Sequence, residues 1–350
     1  MVIVGIATAS TSWFQSGSPV PPVGFWTSNR GISFLLYSPH PDLSASVIQC
    51  RQCKGGYALT QSAGSANPIQ IGVCGWGDHD LYPPGTASKD KLNLYAGHFP
   101  VVEVDSTYHA IQPRERMARW VEATPASFRF VVKAYREMTG HGRREGAPVR
   151  SMKEILRDFV ESVTPMAEAG KLTAVLFQFP PWYDCTQKHV RYIRSCRQAI
   201  PDLPLAVEFR NRTWFEPRYR EGSLRFLEEE KLIHVVCDEP QAGMGSVPAV
   251  PVVTHPEQSL IRFHGRNTSG WRKVGRSNAH WRDVRYAYRY SEEELTEWVE
   301  RVRQMKRSAK QITLLFNNNS RGDAADNAKQ MARLLGVEST GLAPRQMEMF

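Results

Sequence analysis

The sequence predicts an α/β protein built as a single (β/α)8 barrel, and three observations carry that expectation. Eight apolar, strand-like runs follow one another between residues 69 and 319; a helical pattern separates most of them; and each run ends in polar or charged residues where a loop begins. Alternation of β and α repeated eight times is what a closed parallel barrel requires, and its strands, buried on both faces, read as near-continuous apolar runs. With 350 residues, of which 41% are hydrophobic and 23% charged, the chain can bury a large core. A barrel of about 250 residues accounts for most of it.

In chain order the runs are IQIGVCGW (69–76), VVEVDSTYH (101–109), FRFVVKAYRE (128–137), TAVLFQFPP (173–181), PLAVEFRN (204–211), IHVVCDEP (233–240), LIRFHGRN (260–267) and ITLLFNNN (312–319). After the third run, Met152, Ile155, Leu156, Phe159, Val160, Val163, Met166 and Ala167 recur three and four apart, one apolar stripe of a helix. Ser151 with Glu154 forms a capping box at its start. The same logic applies to Ser291 with Glu294 ahead of Leu295, Trp298, Val299, Val302 and Met305, and to Thr213 with Glu216 ahead of Leu224 and Leu227. A last helix uses Ala328, Met331, Ala332 and Leu335. The sixth run is the exception: QAGMGSVPAVPVVTHP holds too much Pro and Gly for a full helix, so a loop is expected.

Residues 1–68 carry only Arg30, Asp42, Arg51 and Lys54 as charges and are rich in Ser, Gly and Pro. They read as a disordered extension or spurious upstream translation, residues 69–337 as the barrel, and 338–350 as a flexible tail. MVIVGIA and GISFLLY are too short to span a bilayer and no basic secretory start precedes them, which predicts a cytoplasmic protein with no membrane partner. Six scattered cysteines argue against a disulfide framework, and Cys50–Cys53 lacks the second pair that a structural zinc site needs. The net charge is +9; without residues 1–68 it is 41 minus 34, or +7, a surplus that favours anionic partners.

Polar residues inside the strands locate the chemistry. Side chains two apart share a face, so in VVEVDST the valines Val102 and Val104 face the helices while Glu103 and Asp105 point into the barrel. The same parity turns Lys133, Gln178, Glu208, Arg210, Arg262, His264 and Asn317 inward. Charges are rarely buried unpaired, so Glu103 is expected to pair with Lys133 on the adjacent strand, and Glu208 with Arg210 or Arg262. One reading of the set is a structural salt-bridge layer. The other is a ligand pocket, because the C-terminal ends of barrel strands carry the active sites of such enzymes.

Two chemistries fit the pocket. Glu103, Asp105, Glu208, Asp238 and His264 offer the donors that a divalent metal takes. Against this, Lys133, Arg210 and Arg262 already supply charge to neutralise those carboxylates. A metal-free pocket for an anionic substrate, with no cofactor and with Glu208, His264 and Glu103 as the catalytic groups, is the preferred reading.

The segments IGVCGWGDHDLYPPG, FPVVEVDSTYH, RFVVKAYREMTGH, LFQFPPWY, VEFRNRTWF, RFHGRN, YRYSEEEL and LFNNNSRGDAADNA resemble the family called domain of unknown function 72, also called YecE-like or UPF0759-type. The resemblance covers residues 69 to 336 and implies a TIM barrel akin to the xylose-isomerase-like group, with no established activity. It further implies Trp76, Tyr82, Lys133, His141, Gln178, Arg210, Arg262 and Asn317 as substrate-binding candidates beside Glu103, Glu208 and His264. Two departures are evident: Asp105-Ser106-Thr107-Tyr108-His109 replaces the usual Asn-Ser-Thr-Phe-Tyr, and a second tryptophan of the first loop is missing.

Two further features bear on partners. From Arg262 to Tyr290 eight basic residues face one acid, Asp283, with Trp271, Trp281, Tyr286, Tyr288 and Tyr290 between them, a chemistry suited to holding phosphates and stacking bases. The chain ends in Gln346-Met347-Glu348-Met349-Phe350, which resembles the pentapeptide by which bacterial polymerases and repair proteins dock on the DNA sliding clamp, with Gln346, Met349 and Phe350 as its anchors. The sequence therefore supports an enzyme acting on an anionic or phosphate-bearing substrate, with a clamp-recruited nucleic-acid module and a non-catalytic metabolite-binding barrel as alternatives.

Overall fold

Runs of Val, Ile, Leu and Phe that are apolar on both faces cannot lie on a surface, and here they close on themselves. The computed structural model describes residues 68–271, 284–319 and 322–344, together with the backbone of 25–27 and 33–35. Considered by itself, the unit Met1–Lys54 contributes strands β1 (Phe25–Thr27) and β2 (Ser33–Leu35), an antiparallel pair. The second unit holds β3 (Ile69–Cys74), β4 (Val101–Val104), β5 (Arg129–Lys133), β6 (Leu172–Gln178), β7 (Leu205–Glu208), β8 (Ile233–Asp238), β9 (Gln258–Phe263) and β10 (Gln311–Phe316). These eight pair in sequence order, all parallel, and β10 returns to β3 with Phe316 opposite Val73. The expected barrel is therefore the observed one.

Helices follow the strands as the apolar stripes require. The longest, Met152–Glu168, buries Ile155, Leu156, Phe159, Val163 and Met166, and Ser162 within that stripe is satisfied by donating to the Gln112 carbonyl at 2.6 Å. Ser151 and Glu154 exchange both bonds of the capping box, as do Ser291 and Glu294 at the start of Glu292–Met305. The third expected cap is a correction. Thr213 lies in a 3-10 turn, Arg212–Phe215, whose Asn211 side chain accepts from the Thr213 N–H, and the helix starts four residues later with Pro217 in its first turn. Proline has no N–H to satisfy there and its φ is already helical, so it outcompetes the upstream threonine as a start. Residues 239–257 form no helix, in keeping with their proline content. Among the described residues no helix is long and apolar enough to cross a membrane.

Register decides which side chains meet inside. Cys74 lies opposite Glu103, Lys133 opposite Leu176, Gln178 opposite Glu208, and Cys237 opposite Arg262. One layer near the C-terminal ends of the strands is thus polar.

Candidate active site

The strands are shorter than their apolar runs. β4 ends at Val104, and Asp105 precedes the short helix Ser106–His109; β7 ends at Glu208, so Arg210 lies on the loop beyond. The polar layer therefore comprises strand residues Cys74, Glu103, Lys133, Gln178, Glu208, Cys237 and Arg262, capped by Asp105, Arg210, Glu239, His264 and Asn317 just past the ends.

Arg262 is its centre. Nε and Nη2 donate to the two Glu103 oxygens at 2.8 and 2.6 Å, Nη1 to Glu208 Oε2 at 2.5 Å and Gln178 Oε1 at 3.3 Å, and Nη2 also to Cys74 Sγ at 3.5 Å. A guanidinium has five N–H groups, and each finds an acceptor. Arg210 binds the other Glu208 oxygen through Nε, reaches Glu239 Oε2 through Nη1 at 2.5 Å, and points Nη2 at His264 Nε2, 2.8 Å away. Its remaining side packs over Trp271, ring centroid at 5.6 Å. Both arginines and all three glutamates are buried.

Lys133 is placed differently from expectation. It pairs with Asp105 at 3.4 Å rather than with Glu103. Val104 lies opposite Val132, so one residue further along Asp105 comes level with Lys133, and Glu103, opposite Val131, is left to Arg262. Asp238, offered as a metal donor, is the other correction. Cys237 faces inward opposite Arg262, so Asp238 faces out; there it accepts from Arg266 at 2.8 Å, Tyr290 Oη at 2.9 Å and Trp298 Nε1 at 2.5 Å. Trp76 and Tyr82 are engaged within their own loop and its neighbour: Trp76 meets Trp120 edge-on, and the Tyr82 hydroxyl donates to the Trp76 carbonyl. His141 stands at the rim, its Nδ1 2.9 Å from Thr139 Oγ1 and its ring edge-on to Tyr108.

Electrostatics sorts the groups by role. Burial raises the Glu208 carboxyl, but Arg210 and Arg262 outweigh it and hold the group well below the usual carboxylate range. Burial, reinforced by Arg210 and Arg262, holds His264 well below the ordinary histidine range, so the imidazole is neutral. Arginine can only donate, so Nε2 accepts from Arg210 and the proton sits on Nδ1, 3.0 Å from the Asn317 amide, which then presents its oxygen. Burial lifts Glu103 to about 7 despite Arg262, and lifts Glu239 to about 7 despite Arg210. For Lys133 burial opposes the charge, Asp105 and Glu103 restore it, and the ammonium is raised above its ordinary value.

Among the described residues, two groups of donors have the geometry for a metal: Cys74–Glu103–Asp105 and Glu208–Cys237–His264, each with ligand atoms within 4.8 Å of one another. They fit one poorly. The Glu103 and Glu208 oxygens already receive arginine N–H groups, and burial, first among several causes, pushes both thiols well above their usual range, whereas a metal needs thiolates.

The glutamate beyond β8, Glu239, and the two inner cysteines were not singled out by sequence. Parity could have found the cysteines: Gln70, Gly72 and Cys74 alternate with Ile71 and Val73, and Cys237 is two from Val235. Nothing in the sequence marks Glu239, whose carboxylate is fixed by the Val247 N–H at 2.6 Å. The basic stretch is largely neutralised where it is described. Arg266 pairs with Asp238 and Glu294, Arg289 with Asp323 and Asp326, and Arg285 lies 4.1 Å over Trp271. Arg272, Lys273, Arg276, Trp281, Arg282, Asp283 and the tail anchors Gln346, Met349 and Phe350 lie outside the described residues.

A closed parallel barrel with an ionic layer buried at its C-terminal mouth defines a TIM-barrel protein. The family model described as "Protein of unknown function DUF72" matches residues 70–349, and the chain belongs to that family. It is 51% identical over 283 residues to the UPF0759 protein YunF of Bacillus subtilis (strain 168), covering 81% of this chain and 100% of that one. A DUF72 family protein from Enterococcus faecalis V583 superposes with a TM-score of 0.73 at 39% identity, over 80% of this chain and 100% of that one. One from Thermotoga maritima MSB8 does so with 0.64 at 30%, over 77% and 99%.

Proposed function

We propose that the barrel is an enzyme acting on a small anionic, phosphate-bearing substrate at its C-terminal mouth, without a metal. The observation that carries this is the difference between the cations. Arg210 and Arg262 are buried and each is held by two carboxylates, with contacts at 2.5–2.8 Å, whereas Lys133 retains 15% of its side-chain exposure and holds Asp105, itself 42% exposed, at 3.4 Å. An arriving anion can displace that loosely held carboxylate; it cannot displace the others without stranding a buried charge.

The arginines are therefore framework rather than substrate ligands. They keep Glu208 ionised and, together with the burial that acts first, hold His264 as a neutral imidazole, a donor through Nδ1–H rather than a strong base. Proton exchange at neutral pH falls to Glu103, whose carboxyl at about 7 stands beside Lys133 and is matched to the operating pH. The test is calorimetric titration of inorganic phosphate and small phosphate esters into the wild-type protein and into Lys133→Met and Lys133→Arg. Binding that disappears in the Met variant and persists in the Arg variant is expected; undiminished binding to Lys133→Met removes the assignment.

A further inference from the structure

Among the described residues, the large apolar side chains left exposed are Val149 at 82%, Trp182 at 65% and Met244 at 52%. All stand at one end of the barrel. Val149 precedes the helix after β5, Trp182 follows β6, and Met244 follows β8, its carbonyl accepting from the Arg212 N–H just beyond β7. Single exposed apolar residues need no explanation; of the three, Trp182 is the one whose ring contacts lead inward, through His141.

Trp182 is also joined to the charged floor. Its ring meets His141 edge-on with centroids 5.9 Å apart, His141 meets Tyr108 edge-on at 5.2 Å, and Lys133 Nζ lies 5.1 Å from the Tyr108 ring centre. One wall of the mouth thus runs from ammonium to indole through two rings fixed by their neighbours. His141 in that wall carries no charge at neutral pH, since burial and then Lys133 and Arg136 push it down to about 4. The wall is cationic at its inner end and purely aromatic at its outer end.

We propose that the anion held at Lys133 belongs to a small molecule whose other end is a planar unsaturated ring, and that this ring stacks on Trp182. The inference rests on the anion reading above and narrows its substrate class: a spacer separates the anionic group from the ring, as in a nucleotide, and a plain sugar phosphate lacks the second half. Trp182 is then a specificity-determining residue rather than a catalytic one.

The test compares adenosine 5′-monophosphate with ribose 5-phosphate, which share a phosphate and a sugar and differ by the ring. On the wild-type protein the first should bind at least roughly tenfold more tightly, the scale of one stacked base. Trp182→Ala should bring it down to the level of ribose 5-phosphate and leave the latter within about twofold, while Trp182→Phe should keep part of the gain. Equal binding of the two probes, or equal weakening of both by Trp182→Ala, overturns the proposal. If phosphate binding still depends on Lys133 in that case, only the ring is refuted; if neither probe nor inorganic phosphate binds the wild type, the anion reading falls with it. A mixed-sequence single-stranded oligonucleotide that binds more tightly than the mononucleotide, and through Trp182, would overturn the small-molecule assignment in favour of a nucleic-acid strand.

Discussion

Replacing Arg262 by Met removes the charge that Glu103 and Glu208 share, and the consequence can be worked from the contacts. Glu208 keeps Arg210, but Glu103 loses both N–H partners while remaining buried. Breaking a buried pair by deleting one partner costs about 3–5 kcal/mol. Glu103 can relieve part of this by taking a proton: burial sets it at about 7 even with Arg262 lowering it, so the variant's carboxyl stands higher still, and the loss is smallest at pH 5, where the group is neutral in both proteins, and grows as the pH rises past 7. The expected loss is thus about 4 kcal/mol at pH 8 and about half of that at pH 5. In urea unfolding, with a slope of about 2–3 kcal/mol per M, the midpoint should drop by about 1.5 M at the higher pH. Arg262→Met combined with Glu103→Gln should recover about half of the loss at pH 8, because neither partner is then left as a lone charge. A loss below about 1 kcal/mol, or one independent of pH, would refute the view that Arg262 is the neutralising centre of the layer.

Three other outcomes follow from the geometry. The layer sets Glu103, Asp105, Glu208 and Glu239 against Lys133, Arg210 and Arg262, so protonating Glu103 or Glu239 near pH 7 removes an excess negative charge; affinity for sulfate, whose own charge is constant in this range, should rise about tenfold from pH 8 to pH 6, and Glu103→Gln should make the rise shallower. The same raised carboxyls bind protons in the folded state that the unfolded chain has released above about pH 4.5, so they lower stability as pH rises from there to about 7, by up to about 3 kcal/mol each, measurable as a falling urea midpoint in the wild type that is shallower in Glu239→Gln. Asp105→Asn should strengthen phosphate binding severalfold by freeing Lys133, read by calorimetry, whereas Ser151→Ala should leave binding alone and cost about 1 kcal/mol of stability by removing a helix cap.

The barrel was legible because its strands are buried on both faces, which writes them as apolar blocks that no helix interrupts. Two of the three caps were legible because a serine three residues ahead of a glutamate is a local signal; at Thr213 a competing local signal, Pro217, won. The inward placement of Glu103, Lys133, Glu208, Arg262 and His264 followed from alternation alone. Pairing did not, since it depends on register between strands: a shift of two residues separates a Glu103–Lys133 pair from the Asp105–Lys133 pair observed. Asp238 shows the limit on the other side. Parity anchored on Arg262 would have turned it outward, but its strand offers no charged neighbour to fix the phase, and a carboxylate at a strand end invites a site reading. Glu239 lay beyond reach because its position depends on the path of a proline-rich loop.

Asp238 has a consequence for how this barrel tolerates change. Arg266 lies three residues past the end of β9 and Tyr290 two before the helix Glu292–Met305, and both are tied to that one outward carboxylate, while the Asp238 carbonyl also holds the His264 N–H at 2.8 Å. The described parts of the excursion between the two ties still touch the layer beneath: Trp271 lies over Arg210, and the Tyr286 ring is 6.5 Å from that of His264. An exchange at Trp271 or Tyr286 therefore alters what lies over Arg210 and His264, while the ties at Arg266 and Tyr290 keep the strand ends in place, so this connection can shift a ligand preference without rebuilding the floor.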